Sequence, residues 1–148
     1  PYLKVHEILE LAQYNPNTRN PFVFSINDEQ SIADAISSCD VEDFVERPFN
    51  ELSGGEKQRV WLAFCLIQNK PFMLLDESLH ALDFIAKEQA FQMLAALALK
   101  DKGILLSTHD LALAQKYANR IIYIENGHIT YDGPAGEDLK SAFTREIP

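Results

Sequence analysis

Cysteine is scarce in this 148-residue sequence: Cys39 and Cys65 are the two, far apart, with no C-x-x-C pair and no Cys/His spacing suited to zinc. That argues against a disulfide framework or a metal finger and fits a reducing, cytosolic setting. No apolar run approaches the roughly 18 residues of a membrane-spanning helix, and the N-terminus lacks the basic-then-apolar layout of an export signal. The expectation is a chain that neither spans a membrane nor directs its own export. Basic residues are also few. Thirteen Lys+Arg against 22 Asp+Glu leave a net charge of −9, which argues against a nucleic-acid partner because phosphate binding draws on clustered positive charge. At 47% hydrophobic and 24% charged residues, the composition is that of one folded domain.

The first fifty residues differ in texture from the rest. Val5, Ile8, Leu9 and Ala12 fall on one side of a short amphipathic helix over Val5 to Tyr14, after which Asn15, Pro16, Asn17, Asn20 and Pro21 break regular structure. From Asn20 to Glu46 there is no Lys or Arg, whereas Asp28, Glu29, Asp34, Asp40, Glu42, Asp43 and Glu46 are acidic. This is either a solvated face on short helices or a docking surface for a basic partner.

Past Pro48, strand and helix signals alternate. Ser53 and Glu56 have the S-x-x-E spacing of a capping box, so a helix should start there; Val60 to Ile67 make it apolar almost all round and Pro71 stops it. Such a helix should be mostly buried. Phe72 to Leu75 reads as a strand buried on both faces and ending in Asp76-Glu77. A helix carrying Phe84, Glu88, Phe91, Leu94, Ala95 and Ala98 follows, then a strand over Ile104 to Leu106 and a helix over Leu111 to Ala118. Ile121 to Glu125 and His128 to Asp132 form a hairpin about Asn126-Gly127, whose turn positions both need φ > 0. A short helix is expected near Gly136 to Phe143. The succession implies a largely parallel sheet in an α/β domain, finished by an antiparallel hairpin.

Parallel α/β sheets bind ligands beyond the carboxyl ends of their strands, where this sequence places Asp76-Glu77 and Ser107-Thr108-His109-Asp110. One carboxylate could hold Mg²⁺ while the other orients a water. Gly54-Gly55 at a capped helix start lets backbone amides approach a phosphate. Each feature alone has a plainer explanation: loop acids in solvent, a turn with its cap, a hydrogen-bonded histidine. Their combination carries the signal.

Together they resemble the ATP-binding cassette (ABC) ATPase family. Leu52-Ser53-Gly54-Gly55-Glu56-Lys57-Gln58-Arg59 resembles the family's signature motif and Phe72 to Glu77 its Walker B strand with the catalytic glutamate. Ser78 to Asp83 resembles the D-loop, with Ser78-Leu79 in place of the usual Pro-Thr, and Thr108-His109-Asp110 resembles the switch-histidine segment. Trp61, the Val5 to Gln13 segment and the tail from Asn126 to Leu139 look most like importers of the iron-siderophore or cobalamin type.

The resemblance implies a P-loop NTPase-like (RecA-like) α/β core. Residues 1–50, with the signature helix over 53–69, would form a mostly helical subdomain, and residues 71–148 the C-terminal part of the ATPase core with its β-hairpin. It implies an ATPase using ATP and Mg²⁺: Asp76 holding the metal through water, Glu77 polarising the attacking water and His109 contacting the γ-phosphate. Ser53, Gly54, Gly55 and Glu56 would meet the nucleotide of a second, head-to-tail ATPase subunit, with Asp83 coupling the two sites. It further implies an integral membrane permease as partner and a peripheral place on the cytoplasmic face of the membrane. No G-x-x-x-x-G-K-[ST] phosphate loop occurs in the sequence, so the expected core is incomplete, as if a longer cassette lacked its N-terminal third, and the chain alone is expected to be inactive. A chromosome-maintenance ATPase would need a heptad coiled coil upstream of the signature, which Pro16, Pro21 and Pro48 break. A non-catalytic interaction module keeping the signature face is the other alternative.

Overall fold

A computed structural model describes residues 2–14, 26–100 and 102–136. In chain order these form α1 (Val5–Leu11), α2 (Ile26–Ser38), two short 3-10 turns (Glu42–Phe44 and Phe49–Glu51), α3 (Gly54–Ile67), β1 (Phe72–Asp76), α4 (Phe84–Ala98), β2 (Gly103–Ser107), α5 (Leu111–Tyr117), β3 (Arg120–Glu125) and β4 (His128–Pro134). The expected helix past Gly136, the chain-breaking segment at 15–21 and the side chains of Asp28 and Glu29 lie outside the described residues.

The predicted stripe is buried, with Ala12 inside at the C-cap of α1 and Val5, Ile8 and Leu9 inside along the helix itself. Each such aliphatic side chain removed from water contributes roughly 1.5–3 kcal/mol, enough to hold a helix too short to persist alone. The backbone of Val5 and His6 donates to the carbonyls of Arg47 and Val45, and Phe49 donates to Leu3, so the N-terminal segment is tied to the stretch leading into α3. Helices α1 and α2 both pack on α3. One hydrophobic cluster runs from Val5 and Leu9 through Val60 and Ala63 to Leu75, Phe91 and Leu94.

α3 starts as expected. The Ser53 hydroxyl accepts from the Glu56 amide at 3.3 Å and Glu56 Oε2 accepts from the Ser53 amide at 2.7 Å. It ends earlier than Pro71 suggests, at Ile67, because Asn69 takes the left-handed conformation (φ 47°) that closes helices. It is also less buried than expected: Val60, Leu62, Ala63 and Ile67 are inside, while Trp61 is half exposed and stacks edge-on against Phe49 and Phe64.

β1 and β2 pair in parallel, Asp76 opposite Ser107. Contrary to the expectation of a strand buried on both faces, β1 alternates: Met73 and Leu75 are buried, whereas Phe72 and Leu74 are 75% and 76% exposed. Only one face of this two-stranded sheet is covered by the described residues. The hairpin forms as expected, β3 pairing antiparallel with β4, and among the described residues it makes a sheet separate from β1 and β2. Its turn is as predicted, with φ of 50° at Asn126 and 79° at Gly127. Among the described residues no helix is long and apolar enough to cross a membrane.

Candidate active site

The parallel register brings the ends of β1 and β2 together, and a serine joins them. Ser107 Oγ donates to Asp76 Oδ1 at 2.5 Å and accepts from the Glu77 amide at 2.8 Å. Glu77 leaves the strand with φ 45°, a conformation that side-chain-bearing residues usually avoid. Its Oε1 lies 2.7 Å from His109 Nε2, with the two side chains 53% and 88% exposed. The carboxylate and imidazole thus face each other in the open, on one rim of a cleft of about 310 Å³ that Lys87 and Thr108 also line. Asp110, next along, caps α5 by accepting from the Leu113 amide at 3.2 Å.

The tip of α3 reaches the same region. A β-carbon on Gly55 would stand 3.1 Å from the Ala81 carbonyl oxygen, closer than packed backbones readily accept, so glycine lets the helix tip press on the segment after Glu77. Gln58 extends the contact: its Oε1 accepts from the Ala81 amide at 2.9 Å and its Nε2 lies 2.9 Å from His80 Nδ1. That ring nitrogen is itself 2.8 Å from the Glu77 carbonyl oxygen. The glycine tip and the strand-end acids are therefore parts of one arrangement.

Two predicted site residues have local structural duties. Glu56 closes the capping box and receives Arg47 Nη1 on Oε1 at 3.0 Å; the Ser53 amide, then the Ser53 hydroxyl and Arg47, hold its carboxyl below the usual range. Asp83 caps α4, accepting from the Ala86 amide at 2.9 Å, and that bond likewise lowers its carboxyl pKa. Ser53 and Gly54 stand exposed at the helix tip.

Among the described residues no three His, Cys, Asp or Glu side chains gather into a metal cage. Mg²⁺ does not require one, since it is usually held by one or two carboxylates plus phosphate oxygens and water. Asp76, with one oxygen engaged by Ser107, suits that kind of site. The sequence motifs contain Ser107, Gln58 and His80 but assign none of the three a role in the site. Ser107 could have been found from the parallel register, which sets it beside Asp76; the Gln58–His80 contact had no sequence signal.

The sequence matches the ABC transporter family over residues 3–80, more than half of the chain. The chain belongs to the ABC transporter family. It is 41% identical over 83% of its length to the hemin import ATP-binding protein HmuV of Rhodococcus jostii, covering 42% of that protein. It is 33% identical over 98% of its length to a probable siderophore transport system ATP-binding protein, YusV, of Bacillus subtilis, covering 53% of it. The thiamine import ATP-binding protein ThiQ of Aliivibrio fischeri is 36% identical over 99% of this chain, which covers 59% of ThiQ. The chain thus spans about half the length of the curated relatives it matches. Among solved structures, a dimeric ATP-binding cassette in a post-hydrolysis state with ADP and Pi superimposes with a TM-score of 0.77 at 30% identity, over 93% of this ABC chain and 59% of the cassette. The fold is that of the ABC cassette, a P-loop NTPase fold, here with a small parallel sheet and an antiparallel hairpin.

Proposed function

We propose that this chain belongs to the ATP-binding subunit of an ABC importer and supplies the water-activating half of one ATP site and the signature half of another. The observation that carries this reading is Glu77: its amide is held by Ser107, its carboxylate faces His109, and the segment after it is pressed by the Gly55 helix tip. A glutamate fixed at amide and carboxylate in an exposed cleft suits general-base work on a water. His109 would contact the γ-phosphate. Asp76 would hold Mg²⁺, which when bound neutralises charge on the β- and γ-phosphates. Ser53, Gly54 and Gly55 would offer hydroxyl and backbone amides to nucleotide on a head-to-tail second ATPase subunit, Glu56 would keep that helix tip rigid, and Asp83 would sit between the two sites.

The chain contains no G-x-x-x-x-G-K-[ST], so the loop that cradles the β- and γ-phosphates must be supplied from outside these residues, and this chain alone should not turn over ATP. Residues 1–50 with α3 form the helical subdomain in this reading, and residues 71–148 the C-terminal part of the core. A membrane permease is the partner, with the subunit peripheral on the cytoplasmic face. Iron-bearing nutrients such as hemin or siderophore complexes are the favoured cargo, on the strength of the relatives named above. The deciding experiment is Glu77→Gln in the intact transporter. We expect ATP turnover to fall at least about a hundredfold with ATP binding retained; normal turnover would remove Glu77 from its role.

A further inference from the structure

His80 occupies the junction between the signature helix and the catalytic segment, and its Nδ1 is asked to do two incompatible things. Gln58 Nε2 lies 2.9 Å from it and the Glu77 carbonyl oxygen 2.8 Å. An amide nitrogen needs a lone pair to donate to; a carbonyl needs a proton to accept. One ring nitrogen supplies one or the other.

Turning the Gln58 amide over does not resolve the conflict. Its Oε1 already accepts from the Ala81 amide at 2.9 Å, and reversal would set Nε2 against that N–H, donor against donor. Gln58 is therefore oriented by Ala81, and the choice falls on the imidazole. With the proton on Nε2, His80 accepts from Gln58, the signature helix is tied to the segment after Glu77, and the Glu77 carbonyl keeps the backbone amide of His80 at 3.2 Å as its donor. With the proton on Nδ1, the Glu77 carbonyl gains a second donor and Gln58 must let go. Glu77 sits in the left-handed region, so the bonds that hold its carbonyl bear directly on where its carboxylate points.

Resting on the functional reading above, we infer that His80 is a positioning residue: through Gln58 it links movement of the signature helix to the orientation of Glu77. The ring touches neither water nor phosphate in this scheme. It acts through the Glu77 backbone.

The test is a set of variants in the intact transporter, with Glu77→Gln run beside them. His80→Ala should lower kcat about five- to tenfold, the size of one lost hydrogen bond to a reacting group's support, with KM for ATP unchanged. His80→Asn places an amide where Nδ1 was and should restore kcat to within about twofold. Gln58→Ala should lose as much as His80→Ala, and the double variant no more than either, because the two act through one contact. In the 148-residue chain, Gln58→Ala should also shift the nitrogen-15 resonances of the His80 ring toward the Nδ1-protonated tautomer. A wild-type kcat for His80→Ala beside an inactive Glu77→Gln overturns the inference alone. So do losses that multiply in the double variant, an equal loss in His80→Asn, or ring resonances that ignore Gln58. An active Glu77→Gln overturns the functional reading and this inference with it.

Discussion

Ser107 Oγ stands between Asp76 and Glu77, donating to the Asp76 carboxylate at 2.5 Å and accepting from the Glu77 amide at 2.8 Å. One hydroxyl thus fixes the proposed metal ligand and the proposed base relative to each other, and only a residue that both donates and accepts can do so. Ser107→Ala should leave the fold intact, since the side chain is exposed, yet lower kcat roughly tenfold by freeing the Asp76 carboxylate and the Glu77 backbone amide. Ser107→Thr keeps the hydroxyl and should retain most of the turnover. Steady-state ATPase rates of the two variants in the intact transporter check this, and equal losses in both would refute it.

The two signature glycines should respond differently to substitution. A β-carbon on Gly54 meets Ala81 Cβ at 3.5 Å, an ordinary contact, whereas one on Gly55 meets the Ala81 carbonyl oxygen at 3.1 Å. Neither glycine has positive φ, so alanine is compatible with both backbones. Gly54→Ala should therefore collect up to about 1 kcal/mol of helix propensity, while Gly55→Ala loses that gain to the contact with residue 81. Urea midpoints of the 148-residue chain distinguish the two; identical shifts would mean that the α3 tip does not press on this segment.

What could be read from the sequence was local. Ser53 and Glu56 are three residues apart, and Asn126 and Gly127 are neighbours, so cap and hairpin needed no knowledge of tertiary structure and both formed as expected. Asp83 and Asp110 have equally local duties as helix caps, but their resemblance to functional motifs drew the reading elsewhere. The cover on β1 was misjudged for a different reason. Phe72 to Leu75 is apolar throughout, and apolarity records what a strand can bury, not whether anything lies on both of its faces. The contacts of Ser107 with Asp76 and of Gln58 with His80 span 31 and 22 residues of sequence. They depend on strand register and helix placement, which no short pattern encodes.

Acid should loosen the tip of α3 first. The Glu56 carboxyl is held below its ordinary value of 4.5 by the Ser53 amide, the Ser53 hydroxyl and Arg47. A lowered folded-state pKa stabilises the fold fully above the ordinary value, and the contribution is lost as pH falls through the lower folded value, because the unfolded chain takes up its proton sooner. Melting temperature followed from neutral pH to pH 3 should decline less steeply below about 4.5 in Glu56→Gln, since glutamine can still accept from the Ser53 amide and carries no titrating proton. Ser53→Ala, which removes the other half of the box, should cost about 1 kcal/mol at neutral pH. Parallel acid slopes for wild type and Glu56→Gln would show that the cap does not govern this limb.

The face of the parallel sheet that the described residues leave open should make the chain prone to stick to itself when studied alone. Phe72, Leu74 and Leu105 are 75%, 76% and 63% exposed, and Leu74 lies directly beside Leu105 in the register, with the Phe72 ring lying over Gly103. Adjacent aliphatic and aromatic groups on a two-stranded sheet give a continuous apolar stripe of the kind that drives association. Light scattering of the 148-residue chain should show a mass that rises with concentration. Leu74→Lys with Leu105→Thr should lower that mass to the monomer's while moving stability by no more than about 0.5 kcal/mol, as expected for outward-facing positions. The second expectation guards the first, because a variant that merely unfolded would lose its cooperative melt. A wild-type chain that stays monomeric across the concentration range would mean that this stripe, exposed as it is, is too small or too interrupted to hold two copies together.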